Sequence, residues 1–305
     1  MAAGSDERRF ACTACGRCCD KGPEMELSEA TALADRFITS LLFKVHGLPL
    51  DDRSDRAGPW WHAQGSRIPV RPALEEQRRH LGLFASRRRA DRRHDRQIFL
   101  TISATVDDDG RTSCPALRDD RCGIYEIRPV TCRTVPLHYS RPPSTLAGYL
   151  DRFTGTPGYR CDTGADAPVI LAGNHVVDDG IRAQREAAMR LAQADRAWKE
   201  HLLARMDDER LAAAAGLPSY EDVLRNSDDG YASQVPMLAA WRVAEREGLI
   251  PAETLHRACR GQATLLKAEI AAHPGGNRLQ ELLGTLLVYE RELARPDATG
   301  TAIPA

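Results

Sequence analysis

Stretches with a clear hydrophobic period alternate along this chain with stretches that have none. Behind Ser28, a good N-cap residue, Leu33, Phe37, Ile38, Leu41, Leu42 and Val45 recur at helical spacing. They predict a helix over 29–45, closed by Gly47 and Pro49. Residues 48–96 are poorly patterned and interrupted by Pro59, Pro69 and Pro72. The β-branched run at 98–106 reads as a strand, Asp107-Asp108-Asp109-Gly110 as a turn, and 111–114 as the returning strand. That hairpin would carry Cys114 to a fixed place. One helical turn is expected over 122–128, stopped by Pro129, and 142–164, rich in proline and glycine, reads as loop.

After Asp178-Asp179-Gly180 the pattern turns helical. Residues 181–215 carry Met189, Ala192, Trp198, Leu202 and Met206 at helical intervals, with Gly216 and Pro218 closing them. Further helices are expected over 219–225, 235–247, 252–272 and 277–294, and a frayed tail after Arg295. No fixed-period repeat is visible. The pattern therefore predicts an α+β protein. Residues 1–175 would form a small, loop-rich, metal-stapled domain with a β-hairpin and an arginine-rich insertion at about 48–97. Residues 176–305 would form an all-α domain whose role the sequence does not assign.

Composition sharpens this picture only in part. A chain of 305 residues suits two domains, and 42% hydrophobic residues exclude global disorder. The formal charge of -1 supplies no field toward nucleic acid or a membrane surface. Arginine is dense from Arg78 to Arg96, but no recognised binding motif accompanies it. It reads as a solvated face with Asp91 and Asp95 pairing to neighbours rather than as a nucleic-acid patch. Residues 1–9 lack the apolar core of a signal peptide, and no apolar run is long enough for a bilayer. The expected setting is the cytoplasm, where clustered cysteines are metal ligands or redox groups rather than disulfides.

Those cysteines are the candidate chemistry. Cys12, Cys15, Cys18 and Cys19 crowd one short stretch, and Cys114, Cys122, Cys132 and Cys161 follow downstream. Two overlapping C-x2-C spacings let thiolates on a turn reach one ion, and thiolates this dense repel one another without a cation. Adjacent side chains usually diverge, so Cys18 and Cys19 are expected to serve different metals, one polynuclear cluster, or one metal and one redox role. Eight cysteines suffice for two four-thiolate sites, or for one cluster and spare thiols. Arg17, Arg121, Arg133 and Arg160 adjoin cysteines and Arg128 is near. Arg128 and Arg133 are the strongest candidates to offset the negative charge of a cofactor.

The pattern Phe10-x-Cys12-x-x-Cys15-Gly16-x-Cys18-Cys19, then Cys114-Pro115-x-Leu117, then Cys122-x-Ile124-Tyr125-Glu126-x-Arg128-Pro129-x-x-Cys132-Arg133-x-x-Pro136 resembles the YkgJ-type cysteine-cluster family. That family is described as a zinc- or iron-chelating domain and is often labelled an iron–sulfur oxidoreductase. The resemblance spans roughly residues 10–165. It implies metal-ligand roles for Cys12, Cys15, Cys18, Cys19, Cys114, Cys122 and Cys132, with Cys161 as the eighth. The function it implies is an iron–sulfur protein in electron transfer or an oxidoreductase reaction. A zinc-stapled module meeting a protein partner through the C-terminal helices is the alternative. A looser similarity to flagellin-lysine N-methylases, through Thr131-Cys132-Arg133-x-x-Pro136, implies S-adenosylmethionine as a further alternative; no glycine-rich methyl-donor turn accompanies it.

Other residues read as structural. Cys259 falls in a helical apolar pattern and reads as a buried small hydrophobe. His138 and His175 read as loop histidines, Tyr125 as core packing, and Asp107-Asp108-Asp109-Gly110 as a turn rather than a calcium loop.

Overall fold

The computed structural model describes residues 6–19, 22–49, 60–63, 66–91, 96–107, 113–226 and 232–295. In chain order the elements are β1 (Glu7–Arg9), β2 (Glu24–Met25), α1 (Leu27–Ala32), β3 (Thr39–Pro49), β4 (Trp60–Ala63), β5 (Ser66–Pro69), α2 (Val70–Phe84), β6 (Arg87–Asp91), β7 (Arg96–Val106), β8 (Leu117–Arg118) and β9 (Arg121–Cys122). Then come α3 (Val130–Arg133), α4 (Leu146–Thr154), β10 (Val169–Ala172), β11 (His175–Val176), α5 (Asp179–Ala194), α6 (Arg196–Met206), α7 (Glu209–Ala215), α8 (Tyr220–Arg225), β12 (Ala232–Pro236), α9 (Leu238–Arg246), α10 (Ala252–Ala272) and α11 (Leu279–Leu293). The fold is mixed α+β with antiparallel sheets.

The main sheet has five strands in the order β12-β3-β7-β2, with β6 also pairing β7. Its backbone is the long β3–β7 ladder, from Thr39 opposite Val106 to Pro49 opposite Arg96. This corrects the helix expected over 29–45. The helix ends at Ala32, and Glu26 rather than Ser28 is its N-cap. The following run is a strand between β12 and β7: buried Thr39, Leu41, Phe43 and Val45 alternate with half-buried Ser40, Lys44 and His46, and buried Leu42 breaks the alternation. The expected 98–114 hairpin is also corrected: β7 pairs β3, β2 and β6, and Cys114 sits outside any strand. The turn residues Asp108, Asp109 and Gly110 lie outside the described residues.

The C-terminal helices pack on this sheet. The largest apolar cluster runs from Met25, Phe43 and Leu100 to Trp241, Leu266 and Tyr289, so it draws on both sides of the 175/176 boundary. The segment beyond residue 176 is not all-α, because β12 pairs β3. The helix expected over 181–215 is three, broken at Asp195 and at Asp207-Asp208. Asp208 caps α7 by accepting from the Arg210 and Leu211 N–H groups, and Gly216 closes it in the left-handed region at φ 71. The 252–272 helix matches α10. One loop expectation fails: residues 146–154 form α4 within the 142–164 stretch. Part of the poorly patterned, arginine-rich insertion is α2 and β6.

A second, small sheet, β1-β10-β11, backs a satellite cluster of Phe10, Leu137, Leu146, Leu150, Ile170 and Leu171. It holds the start of the cysteine loop. The main sheet and its helices hold the rest.

Candidate metal centre

The N-terminal loop leaves β1 and is pinned at once to the segment around residue 161. Ala11 N–H donates to the Asp162 carbonyl at 2.8 Å and Asp162 N–H returns to Ala11 at 3.1 Å. Thr13 Oγ1 donates to the Arg160 carbonyl at 2.7 Å. Cys12 is thereby set beside Cys161. The loop then turns through two left-handed residues, Ala14 (φ 54) and Gly16 (φ 69). Gly16 is required, since a Cβ there would run into the Asp120 carbonyl oxygen. At the far end Cys114 N–H donates to the Cys19 carbonyl at 2.8 Å.

The eight cysteines therefore fall into two groups that share one loop. Cys161 feels the charges of Cys18, Cys15 and Cys12; burial is the first cause that raises its thiol, and these neighbours add to it. Cys19 feels Cys18, Cys114 and Cys132. Cys132 is pushed up to about 12 by burial and then by Cys114 and Cys122, with Arg128 pulling the other way. Cys114 is raised by burial and by Cys122. Group one is Cys12, Cys15, Cys18 and Cys161; group two is Cys19, Cys114, Cys122 and Cys132. The joint is the Cys18–Cys19 pair. The neighbouring Cys18 side chain is the leading reason the Cys19 thiol is raised.

Local structure places group two. The β8–β9 pair sets Leu117 opposite Cys122, and Leu117 N–H donates to the Cys114 carbonyl at 3.0 Å. A 3-10 turn over Tyr125–Ile127 leads to α3, which carries Cys132. That short helix is anchored by residues the sequence reading missed. Glu29 Oε1 accepts the Val130 N–H at 2.8 Å, Glu29 Oε2 accepts the Glu26 N–H at 3.3 Å, and Thr131 Oγ1 donates to the Glu24 carbonyl at 2.6 Å. Behind them Lys199 Nζ donates to Glu26 Oε2 at 2.6 Å, and Tyr139 O–H donates to Glu26 Oε1 at 3.2 Å. Burial raises the Glu26 and Glu29 carboxyls above the ordinary range, against the pull of their partners. The nearest sequence signal was the run of glutamates at 24, 26 and 29; nothing local pointed to Lys199.

The arginines divide. The Arg128 guanidinium lies 4.0 Å from the Tyr125 ring centroid, and its charge lowers the Cys132 thiol. Arg133 instead donates from Nε to the Arg128 carbonyl at 2.7 Å and acts on Glu29. Tyr125 is half exposed, so its assignment to the core is corrected. His138 accepts from Ser140 N–H at Nδ1 (3.2 Å) and stacks on Tyr139, 4.6 Å between centroids. Burial and then Arg141 and Arg185 lower it to about 3, so it stays neutral. His175 pairs in β11 and is exposed, and Cys259 is fully buried in the main cluster.

Eight soft sulfur donors, none in a disulfide, fit a thiophilic metal in their chemistry. Among the described residues no three His, Cys, Asp or Glu side chains are drawn around a common point as a metal's ligands are. A surface pocket of about 230 Å³, lined by Arg87, Asp207, Tyr220 and Glu221 among others, includes none of the cysteines. Among the described residues no helix is long and apolar enough to cross a membrane. No protein-family model, curated protein or solved structure matches this chain. The likeness to the YkgJ-type family therefore rests on the cysteine motifs alone.

Proposed function

We propose that this is a metal-binding cysteine-cluster protein whose eight thiolates hold iron–sulfur chemistry for electron transfer or an oxidoreductase reaction. The observation that carries this reading is the meeting of Cys114, Cys122 and Cys132, distant in sequence, with the N-terminal loop, and of Cys161 with its start. Cys12, Cys15, Cys18 and Cys161 would hold one centre; Cys19, Cys114, Cys122 and Cys132 would hold the other. Bound iron–sulfur groups would supply one-electron chemistry. The chain itself supplies soft donors, a positive guanidinium at Arg128 and a rigid mount for Cys132 through Glu29.

A second reading, a zinc-stapled interaction module, is favoured by the small size of the satellite cluster beside group one. Six buried side chains are few for a free-standing core, and metal would add what packing lacks. Anaerobic purification from iron-replete cells, with metal and acid-labile sulfide analysis, tests both. Brown protein with iron and sulfide supports the first; colourless protein with stoichiometric zinc supports the second. Protein that takes up neither metal and keeps its fold without them overturns both.

A further inference from the structure

Resting on the metal-binding reading, we propose a division of labour between the two thiol groups. Group one is an exchangeable site open to an incoming soft ligand, and group two is a closed structural staple.

Three independent features of the chain differ in the same direction. The first is exposure. Cys12 is exposed, while Cys15, Cys18 and Cys161 are half-buried, so group one has an edge that solvent and solutes reach. Cys19, Cys114, Cys122 and Cys132 are half-buried like those three, so group two differs in having no exposed member. The second is the local chain. Cys12, Cys15 and Cys18 stand on an irregular loop with left-handed turns at Ala14 and Gly16. In group two Cys19 ends the same loop and Cys114 lies outside any strand, the two joined by the Cys114 N–H to Cys19 carbonyl bond, while Cys122 lies on a paired strand and Cys132 on a helix that Glu29 and Glu24 tie to the body. The third is the backing. Cys161 packs on the six-residue satellite cluster, whereas Cys114 and Ile124 pack on the large cluster shared by sheet and helices. Segments with few buried contacts open at low free-energy cost, and segments on the main core open only with the whole fold. With an ion held there, an incoming thiol would enter through that exposed edge. Its sulfur would take the place of Cys12 on the ion, the proton it gives up would pass to the released Cys12 thiolate, and no electron would be transferred. The class of ligand admitted is a small thiol or a comparable soft donor.

The full-length protein, reduced and loaded with zinc alone, is the probe. Its zinc is withdrawn by excess chromophoric chelator while absorbance is followed. The expected course is two phases with rates roughly tenfold or more apart. Cys12→Ser should abolish the fast phase and leave the slow phase and the circular dichroism spectrum unchanged. Cys161→Ser should act likewise. In wild type, brief alkylation followed by peptide mass spectrometry should label Cys12, Cys15, Cys18 and Cys161 before Cys19, Cys114, Cys122 and Cys132, which needs no variant to fold. Zinc leaving in one phase, or equal labelling of both groups, overturns the division alone. Failure of the reduced wild type to take up zinc or iron overturns the metal reading and the division with it.

Discussion

Group one and group two are each made of four cysteine side chains and are supported in opposite ways. Group one hangs from a pair of backbone hydrogen bonds between Ala11 and Asp162 and one from the Thr13 hydroxyl to the Arg160 carbonyl, over a small cluster. Group two is mounted on the main sheet and the helices through a buried polar chain from α3 to Glu29, Glu26 and Lys199. The difference teaches that the helical half of this chain is mechanically part of the cysteine region. Lys199, in a helix beyond residue 176, holds the carboxylate beneath Cys132's helix.

Removing Lys199 is the strongest way to break that contrast. Lys199→Met leaves Glu26 buried without its cation, and a loss of about 3–5 kcal/mol in urea unfolding is expected. The loss should be smaller at about pH 5 than at about pH 8. Glu26 already has a raised carboxyl, so its lone carboxylate can take a proton in mild acid. In the metal-loaded protein this variant should accelerate release from group two. Phe10→Ala strikes the other side. Phe10 is 7% exposed in the satellite cluster, and a loss of about 3 kcal/mol is expected there. Hydrogen exchange should report it as opening confined to β1, β10 and α4. Equal deprotection of β3 and β7 would show that the two supports are one.

Gly16→Ala tests the link between the groups. It combines a left-handed backbone with a collision at Asp120, and about 2 kcal/mol is expected, read by thermal melting. The smallest effect belongs to Arg87→Gln. Arg87 pairs with Asp207, Nη2 at 2.8 Å, across half-exposed surface, so the cost should stay below about 1 kcal/mol. Asp207 is lowered first by the hydrogen bond from Arg87. A lowered carboxylate contributes fully above its unfolded value and loses that contribution as pH falls through the folded one. Wild type should therefore exceed Arg87→Gln at neutral pH, and the gap should close in acid below the ordinary aspartate value of 3.8.

Helices with complete local punctuation were legible in the sequence. Ser219 accepts the Asp222 N–H just where α8 was expected, Gly216 closes α7, and α10 follows Pro251. The strand β3 was not legible, because Leu42 interrupts its alternation and its apolar residues mimic helical spacing. Helix α4 was hidden between Pro143 and Gly155, whose turn signals dominate a short window. Of the site, the sequence exposed the cysteines and their order but not their division. Which thiol meets which depends on the Ala11–Asp162 bridge and the Cys114–Cys19 hydrogen bond, and residues that far apart leave no local period. The Tyr125 misassignment has a related cause: an aromatic ring stacked under an arginine can stay at the surface.

The pairing of β12 with β3 carries a consequence for how the chain is made. Residues 232–236 cover an edge whose partner strand is synthesised nearly two hundred positions earlier, Ala232 meeting Lys44 and Pro236 meeting Ser40. Until the ribosome has released them, that edge of β3 stays open to any neighbouring nascent chain. Fragments ending before residue 232 should consequently aggregate during expression, and a peptide matching β12 supplied in trans should rescue them.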